Sequence, residues 1–196
     1  MAFSQFHPVG SIPPTTIARY ESLVQPEVAA SWRQYGAGFI DAGYFRQVDP
    51  ARAAAMVGNV NSILSASVIL FTTAMADLIV YWNEFYLVMK FRLGEIHTTK
   101  ISFDKLVRLM EDVPSVEGGP GYRDVIWDQQ PYPAVRQRLG VPAFEDCFMH
   151  VPLLRMGGRG DPAQMQVGGI WTHIAIMSQL TGPLQITHNL PMPIEG

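Results

Sequence analysis

The chain has 196 residues, 48% hydrophobic and 16% charged, with a formal net charge of -3. That length can bury a real core in one domain or in two small lobes, and the low charge with 11% aromatic content excludes a disordered chain. The slight acidity argues against non-specific nucleic-acid binding, which needs a positive excess. The single Cys147 rules out an internal disulfide and points to a reducing cytosol.

The opening MAFSQFHPVG lacks the basic start, continuous apolar stretch and cleavage site of an export signal. After Pro13 and Pro14, TTIARYESLV places Ile17, Tyr20, Leu23 and Val24 on one helical face. Pro26 suits the first turn of a second helix, PEVAASWRQYG, which stops at Gly36. Gly36 and Gly38 therefore follow a helix rather than open one. Anion cradles use free N–H groups at a helix N-terminus, whereas a C-terminus offers carbonyls and negative partial charge. The stretch also lacks the Lys and Ser/Thr of a Walker loop and the glycine spacing of a dinucleotide site. It reads as a turn followed by a short strand, GYFRQV. Asp49 then caps a helix that begins at Pro50 and runs through ARAAAMVGNV.

Residues 67 to 101 carry the strongest strand signal. SVILFTT, DLIVYW, FYLVMKF and EIHTTKI are rich in β-branched and aromatic residues, with breaks at Asn83 and at Leu93-Gly94. Such closely spaced strands form an antiparallel meander, and the first three are apolar on both faces, which calls for covering helices. Asp77 interrupts the apolar run, which falls short of the roughly 20 residues of a membrane-spanning helix.

SFDKLVRLMEDV reads as a helix capped by Ser102, with Phe103, Leu106, Val107 and Met110 inward. Asp104, Arg108, Glu111 and Asp112 then lie on its exposed side. A Gly- and Pro-rich loop at 114–133 contains Tyr122, Ile126 and Trp127, which are expected to pack down. AVRQRLG reads as a short helix, CFMHVPLL as a strand and GGRGDP as a turn. IWTHIAIMSQLTGP reads as a helix with Trp171, Ile174, Ala175 and Ser178 on one side, stopped by Gly182-Pro183. The tail QITHNLPMPIEG has little periodicity and is expected to be peripheral.

The chemistry-bearing residues form no recognisable catalytic pattern. His7, His97, His150, His173 and His188 are scattered. Cys147 and His150 lack a second pair with zinc spacing and would point to opposite faces of a strand, so neither a metal nor a cofactor is expected. No Gly-x-Ser-x-Gly elbow is present. Glu111-Asp112 and Glu145-Asp146 read as solvated surface charge, and Arg159-Gly160-Asp161 as a turn.

One asymmetry remains. Between Asp104 and Asp128 there are six acids against three bases, which carries the whole formal excess of the chain. A solvated surface is the default reading. The functional reading is an acidic patch for a basic partner, formed by Asp104, Glu111, Asp112, Glu117, Asp124 and Asp128 with Arg108 among them.

The stretch WRQYGAGFIDAGYFRQVDP, from Trp32 to Pro50, resembles the opening of the GAD-like domain. It has a Trp, a Tyr-Gly with further glycines, a Gly-aromatic-Phe and a Val-Asp-Pro, although Gln47 stands where an apolar strand residue is common. CFMHVPLLRMGGRGDPAQMQVGGIWTHIAIMSQLTGPL resembles the domain of unknown function that often follows it. The resemblance places a GAD-like domain at 14–113, the associated domain at 114–184 and a peripheral tail at 185–196. It implies an α+β fold with an antiparallel sheet flanked by helices, as two small lobes packed together. Proteins of this type are similar to bacterial immunity proteins encoded beside toxins of type VI secretion and related systems. The implied function is non-enzymatic and cytoplasmic: binding a cognate toxin, a DNase effector above all, with no direct contact to nucleic acid or membrane. The alternative is a small-ligand or regulatory binding module with a pocket between the lobes.

Overall fold

Prolines and capping side chains set most helix starts in the computed structural model, which describes residues 3–40, 43–58, 60, 62–111 and 131–189. Strand β1 (Phe6–Gly10) leads to α1 (Pro14–Tyr20), a 3-10 turn at Glu21–Leu23 and α2 (Pro26–Tyr35). Both helices begin on a proline, whose missing N–H costs nothing in a first turn. Helix α2 ends at Gly36, whose φ of 68° is a left-handed value that glycine adopts without strain. Strands β2 (Ala37–Ile40) and β3 (Phe45–Gln47) precede α3 (Pro50–Val57). The Asp49 carboxylate caps α3 by accepting from the N–H groups of Ala51 and Arg52 at 2.8 and 3.2 Å.

After α4 (Ser62–Ser65) come β4 (Val68–Thr73), β5 (Leu78–Trp82), β6 (Phe85–Lys90) and β7 (Glu95–Thr99), the expected antiparallel meander. Helix α5 (Phe103–Glu111) follows, then α6 (Pro131–Leu139) and β8 (Asp146–His150). Strand β9 (Met165–Gly169), α7 (Ile170–Thr181) and β10 (Gln185–Asn189) complete the described chain.

Among the described residues, the main sheet has eight strands in the order β1-β2-β3-β4-β5-β6-β7-β10, while β8 and β9 form a separate antiparallel pair. Every neighbour in the main sheet is antiparallel except β10, which adds parallel to β7. The fold is α+β with helices on both faces, and the strand sequences explain why. Side chains alternate across a sheet with a period of two. In β5 and β6, Ile79, Tyr81, Tyr86 and Val88 enter one core with Val28, Trp32, Phe103 and Leu106 from α2 and α5. The intervening Leu78, Val80, Leu87 and Met89 enter a second core with Ala53, Val57, Ile174 and Met177 from α3 and α7. A register shift between Ile69 and Phe71 breaks the alternation in β4 and turns Leu70 and Phe71 into the same core.

The small sheet is tied to the large one through the turn between β4 and β5. Phe148 N–H donates to Ala74 O at 2.7 Å, and Ala74 N–H donates to Tyr44 O at 2.7 Å. Phe148 and Met165 thereby join the core beneath α2 and α5.

Several details differ from the sequence reading. Leu23, expected on the apolar face, is 57% exposed, because the tighter 3-10 turn at Glu21–Leu23 rotates it outward. On α7 the buried residues are Ile170, Trp171, His173, Ile174 and Met177, not Ala175 and Ser178. Gln185–Asn189, read as part of a peripheral tail, forms the edge strand β10. Tyr122, Ile126 and Trp127 lie outside the described residues.

Candidate functional site

Helix α5 carries the described part of the acidic segment. Ser102 Oγ accepts from Lys105 N–H at 3.3 Å as its N-cap. Gln25 anchors the same end: its Oε1 accepts from Phe103 N–H at 2.8 Å and from the Tyr86 hydroxyl at 3.1 Å, while its Nε2 donates to Ile101 O at 3.2 Å. Phe103, Leu106, Val107 and Met110 are buried as expected. Asp104, Arg108 and Glu111, spaced i, i+4 and i+7, share one stripe that flanks the buried face. Arg108 is exposed, while Asp104 and Glu111 are half-buried. Glu111 Oε1 accepts from Ser4 N–H at 2.6 Å, which fastens the N-terminal segment to the end of α5. Asp112, Glu117, Asp124 and Asp128 lie outside the described residues, so the structure brings together only Asp104, Arg108 and Glu111 of the candidate set.

A second group of polar residues is buried where β4, β5, β8 and α7 meet. The turn from Thr73 to Asp77 places Ala76 at a φ of 61°, a strained value for a residue with a Cβ. Thr73 Oγ1 offsets that strain by accepting from the N–H groups of Met75 and Asp77 at 3.2 and 3.1 Å and by donating to Asp77 Oδ2 at 3.3 Å. Asp77 is fully buried, and its Oδ1 lies 3.4 Å from Nε of the buried Arg92. Arg46 on β3 is buried as well. Its Nη1 donates to Thr73 O at 3.3 Å, its guanidinium stacks over Phe39 at 5.6 Å, and its Nε and Nη2 have no hydrogen-bond partner among the described residues. Burial lowers its pKa to about 10, against the opposing pull of Cys147 and Tyr132.

The nucleophile and base chemistry of this region is muted. Burial pushes the Cys147 thiol up to about 12, with Arg46 pulling weakly the other way. His173 on α7 is held down at about 4, first by burial, with smaller effects of Asp77, which opposes it, and of His150 and Arg92, which add to it. Both imidazoles border a cleft of about 500 Å³ between the end of β8 with the turn at 151–153 and the first half of α7. Nearby, Glu145 is engaged rather than merely solvated: it accepts from Trp171 Nε1 at 2.6 Å and pairs with Arg52 at 2.9 Å. The sequence held one sign of this cluster, Asp77 inside an apolar run. The meeting of His150 with His173 depends on how α7 docks and has no local signature. Among the described residues, no group of three or more His, Cys, Asp or Glu side chains is placed to hold a metal ion.

The fold is similar to the crystal structure of Atu4351 from Agrobacterium tumefaciens, with a TM-score of 0.67 and 14% identity over 90% of this chain and 85% of that one. At that identity the likeness speaks to the fold alone. No family model matches the sequence, and no curated protein matches it.

Proposed function

We propose that this protein is a non-enzymatic inhibitor: a cytoplasmic immunity protein that binds and neutralises one secreted antibacterial toxin, a DNase effector of a type VI secretion system. The reading rests on the resemblance of Trp32–Pro50 to a GAD-like opening and of Cys147–Leu184 to its companion domain. The observation that carries it is the stripe of Asp104, Arg108 and Glu111 on α5, flanking a buried apolar face that holds the helix in place. A DNase must present a basic cleft to its substrate, and an inhibitor gains by offering carboxylates to that cleft. The muted thiol of Cys147 supports binding over covalent catalysis. A cytoplasmic site of action follows from a DNA target. No helix among the described residues is long and apolar enough to cross a membrane.

The test is association with the product of the adjacent gene, measured by stopped flow with a nuclease assay and a cell-protection assay alongside. Wild-type association should slow as salt rises, because screening shortens the reach of the acidic field. Reversing Glu111, Asp112 and Glu117 to Lys should slow it by about tenfold or more, with Glu111→Gln as the control that keeps an acceptor for Ser4 N–H. Unchanged association and full protection by the triple reversal would reduce α5 to a solvated surface and remove the reading.

A further inference from the structure

We propose that the cleft between β8 and α7 is a binding site for a small uncharged ligand with an apolar, aromatic-sized body and one hydrogen-bonding group that meets His173. The site is separate from α5, and the proposal does not depend on the immunity reading.

The wall formed by α7 comes from Gly169, Thr172, His173 and Ile176. Their i, i+3, i+4 and i+7 spacing makes one continuous helical stripe. It lies beside the stripe of Ile170, Trp171, Ile174 and Met177, which packs into the second core. The stripe facing the cleft presents one large apolar side chain, Ile176, beside the polar groups of Thr172 and His173. The facing wall is Met149, Val151, Pro152 and Leu153, with Met156 at the rim. Gly168 and Gly169 at the end of β9 keep side chains out of the floor.

Three observations set the ligand class. The volume of about 500 Å³ lies within the roughly 300–1,000 Å³ typical of small-molecule sites. Among the described residues, no Asp, Glu, Lys or Arg lines the cleft, so a charged ligand would lose its hydration with no countercharge in return. His173 is only 5% exposed, lines the cleft and makes no hydrogen bond with any described residue. Its ring nitrogens are not sealed from solvent, so a ligand that displaces water from the cleft must offer His173 a hydrogen bond or leave it unpaired at a cost. Burial keeps this imidazole neutral, so one ring nitrogen donates and the other accepts. A phenol or an amide can meet either role, and an indole N–H can donate to the accepting nitrogen. His150 stands at the end of β8 as the second imidazole of the wall. Val151, Met156 and Ile176 are 38%, 65% and 45% exposed, which leaves an apolar rim around the entrance.

The experiment uses the full-length protein labelled with 13C at the methionine methyls, with Met149 and Met156 assigned by substitution to Leu. The probes are indole, toluene and benzoate. Indole should shift both methyl signals saturably, toluene should bind more weakly, and benzoate should not bind. Ile176→Trp, at a half-exposed position where the fold tolerates change, should fill the cleft and abolish the indole shifts. His173→Phe should weaken indole by about tenfold while leaving toluene unchanged, and His173→Gln should recover part of the loss. If His173→Phe fails to fold, the Ile176→Trp result and the indole-to-toluene ratio decide. The proposal is overturned if indole gives no saturable shift at Met149 and Met156, or if Ile176→Trp binds it as wild type does. Equal binding of indole and toluene would also overturn it, since the rim would then be an apolar surface with no ligand chemistry.

Discussion

Gln47 Nε2 donates to the Gly36 carbonyl at 2.6 Å, and Gln47 Oε1 accepts from the Ser31 hydroxyl at 2.7 Å. The first bond reaches the residue that ends α2, where a helix leaves its carbonyls without intrahelical partners. The second reaches the last two turns of the same helix. Gln47 is fully buried on β3, so a polar residue at an apolar strand position works as a clamp between helix and sheet. The Gly36 carbonyl, the kind of group that makes a helix C-terminus a poor anion cradle, is the one that Gln47 recruits.

Replacing Gln47 by Leu would keep the volume and strand propensity but strip partners from Ser31 and Gly36. The expected loss is about 1–3 kcal/mol, read from the midpoint of urea unfolding with an unchanged slope. Gln47→Glu should cost more, because a carboxylate would face a carbonyl oxygen. Ser31→Ala should cost less than either, as it leaves the bond to Gly36 in place. A Gln47→Leu protein as stable as wild type would show that the clamp is dispensable.

Asp77 and Arg92 offer a second energetic test, since both are buried and their charged atoms approach to 3.4 Å. Breaking a buried pair on one side strands a charge and costs roughly 3–5 kcal/mol, whereas replacing both sides with apolar groups is often close to neutral. Asp77→Leu should therefore destabilise the protein strongly, with the added loss of the Thr73 turn. The double variant Asp77→Leu with Arg92→Met should recover much of that loss. If the double variant is as unstable as the sum of the singles, the two residues are uncoupled.

What the sequence made legible was what local pattern determines. The meander from Val68 to Thr99, the Ser102 and Asp49 caps and the Gly36 stop each follow from a few adjacent residues. The short strands were hidden for physical reasons. β1 contains Pro8 and is exposed over most of its length. β2 contains Gly38, where any Cβ would lie 2.5 Å from the His7 carbonyl and 2.6 Å from the Phe6 ring. Gly38 is therefore required by close strand pairing rather than by a turn. β9 ends in two glycines, and β10 pairs in parallel with the edge of β7, a contact no local pattern announces. Of the candidate sites, α5 was visible as an amphipathic pattern. The cleft beside His173 was not, because its walls come from β8 and α7, whose pairing no local period encodes.

Cys147 makes a direct chemical prediction. It is fully buried, its Sγ donates to Gly168 O at 3.4 Å, and its thiol is pushed up to about 12. At pH 8 only about one molecule in ten thousand would carry the reactive thiolate. The native protein should be inert to iodoacetamide over hours and modified at Cys147 within minutes in urea. Rapid labelling of the native protein would mean that β8 opens readily, since thiolates react only when accessible.

The pH dependence of stability follows from His173. Its folded pKa of about 4 lies below the ordinary 6.5, with burial as the main cause and Asp77, His150 and Arg92 as the charged neighbours. As pH falls below 6.5 the unfolded chain takes up a proton at this site while the folded protein does not. The contribution of His173 is therefore full above pH 6.5 and is lost progressively down to pH 4, by about 3 kcal/mol in all. Carboxylates also weaken the fold in acid, so the wild type alone is not diagnostic. His173→Gln remains neutral throughout and removes this contribution. The stability difference between His173→Gln and wild type should shift in favour of the variant as pH drops from 7 to 4.5. Between pH 7 and 8 that difference should stay constant. A difference that is flat across the whole range would mean that His173 titrates normally, and that the cleft it borders is better hydrated than its burial indicates.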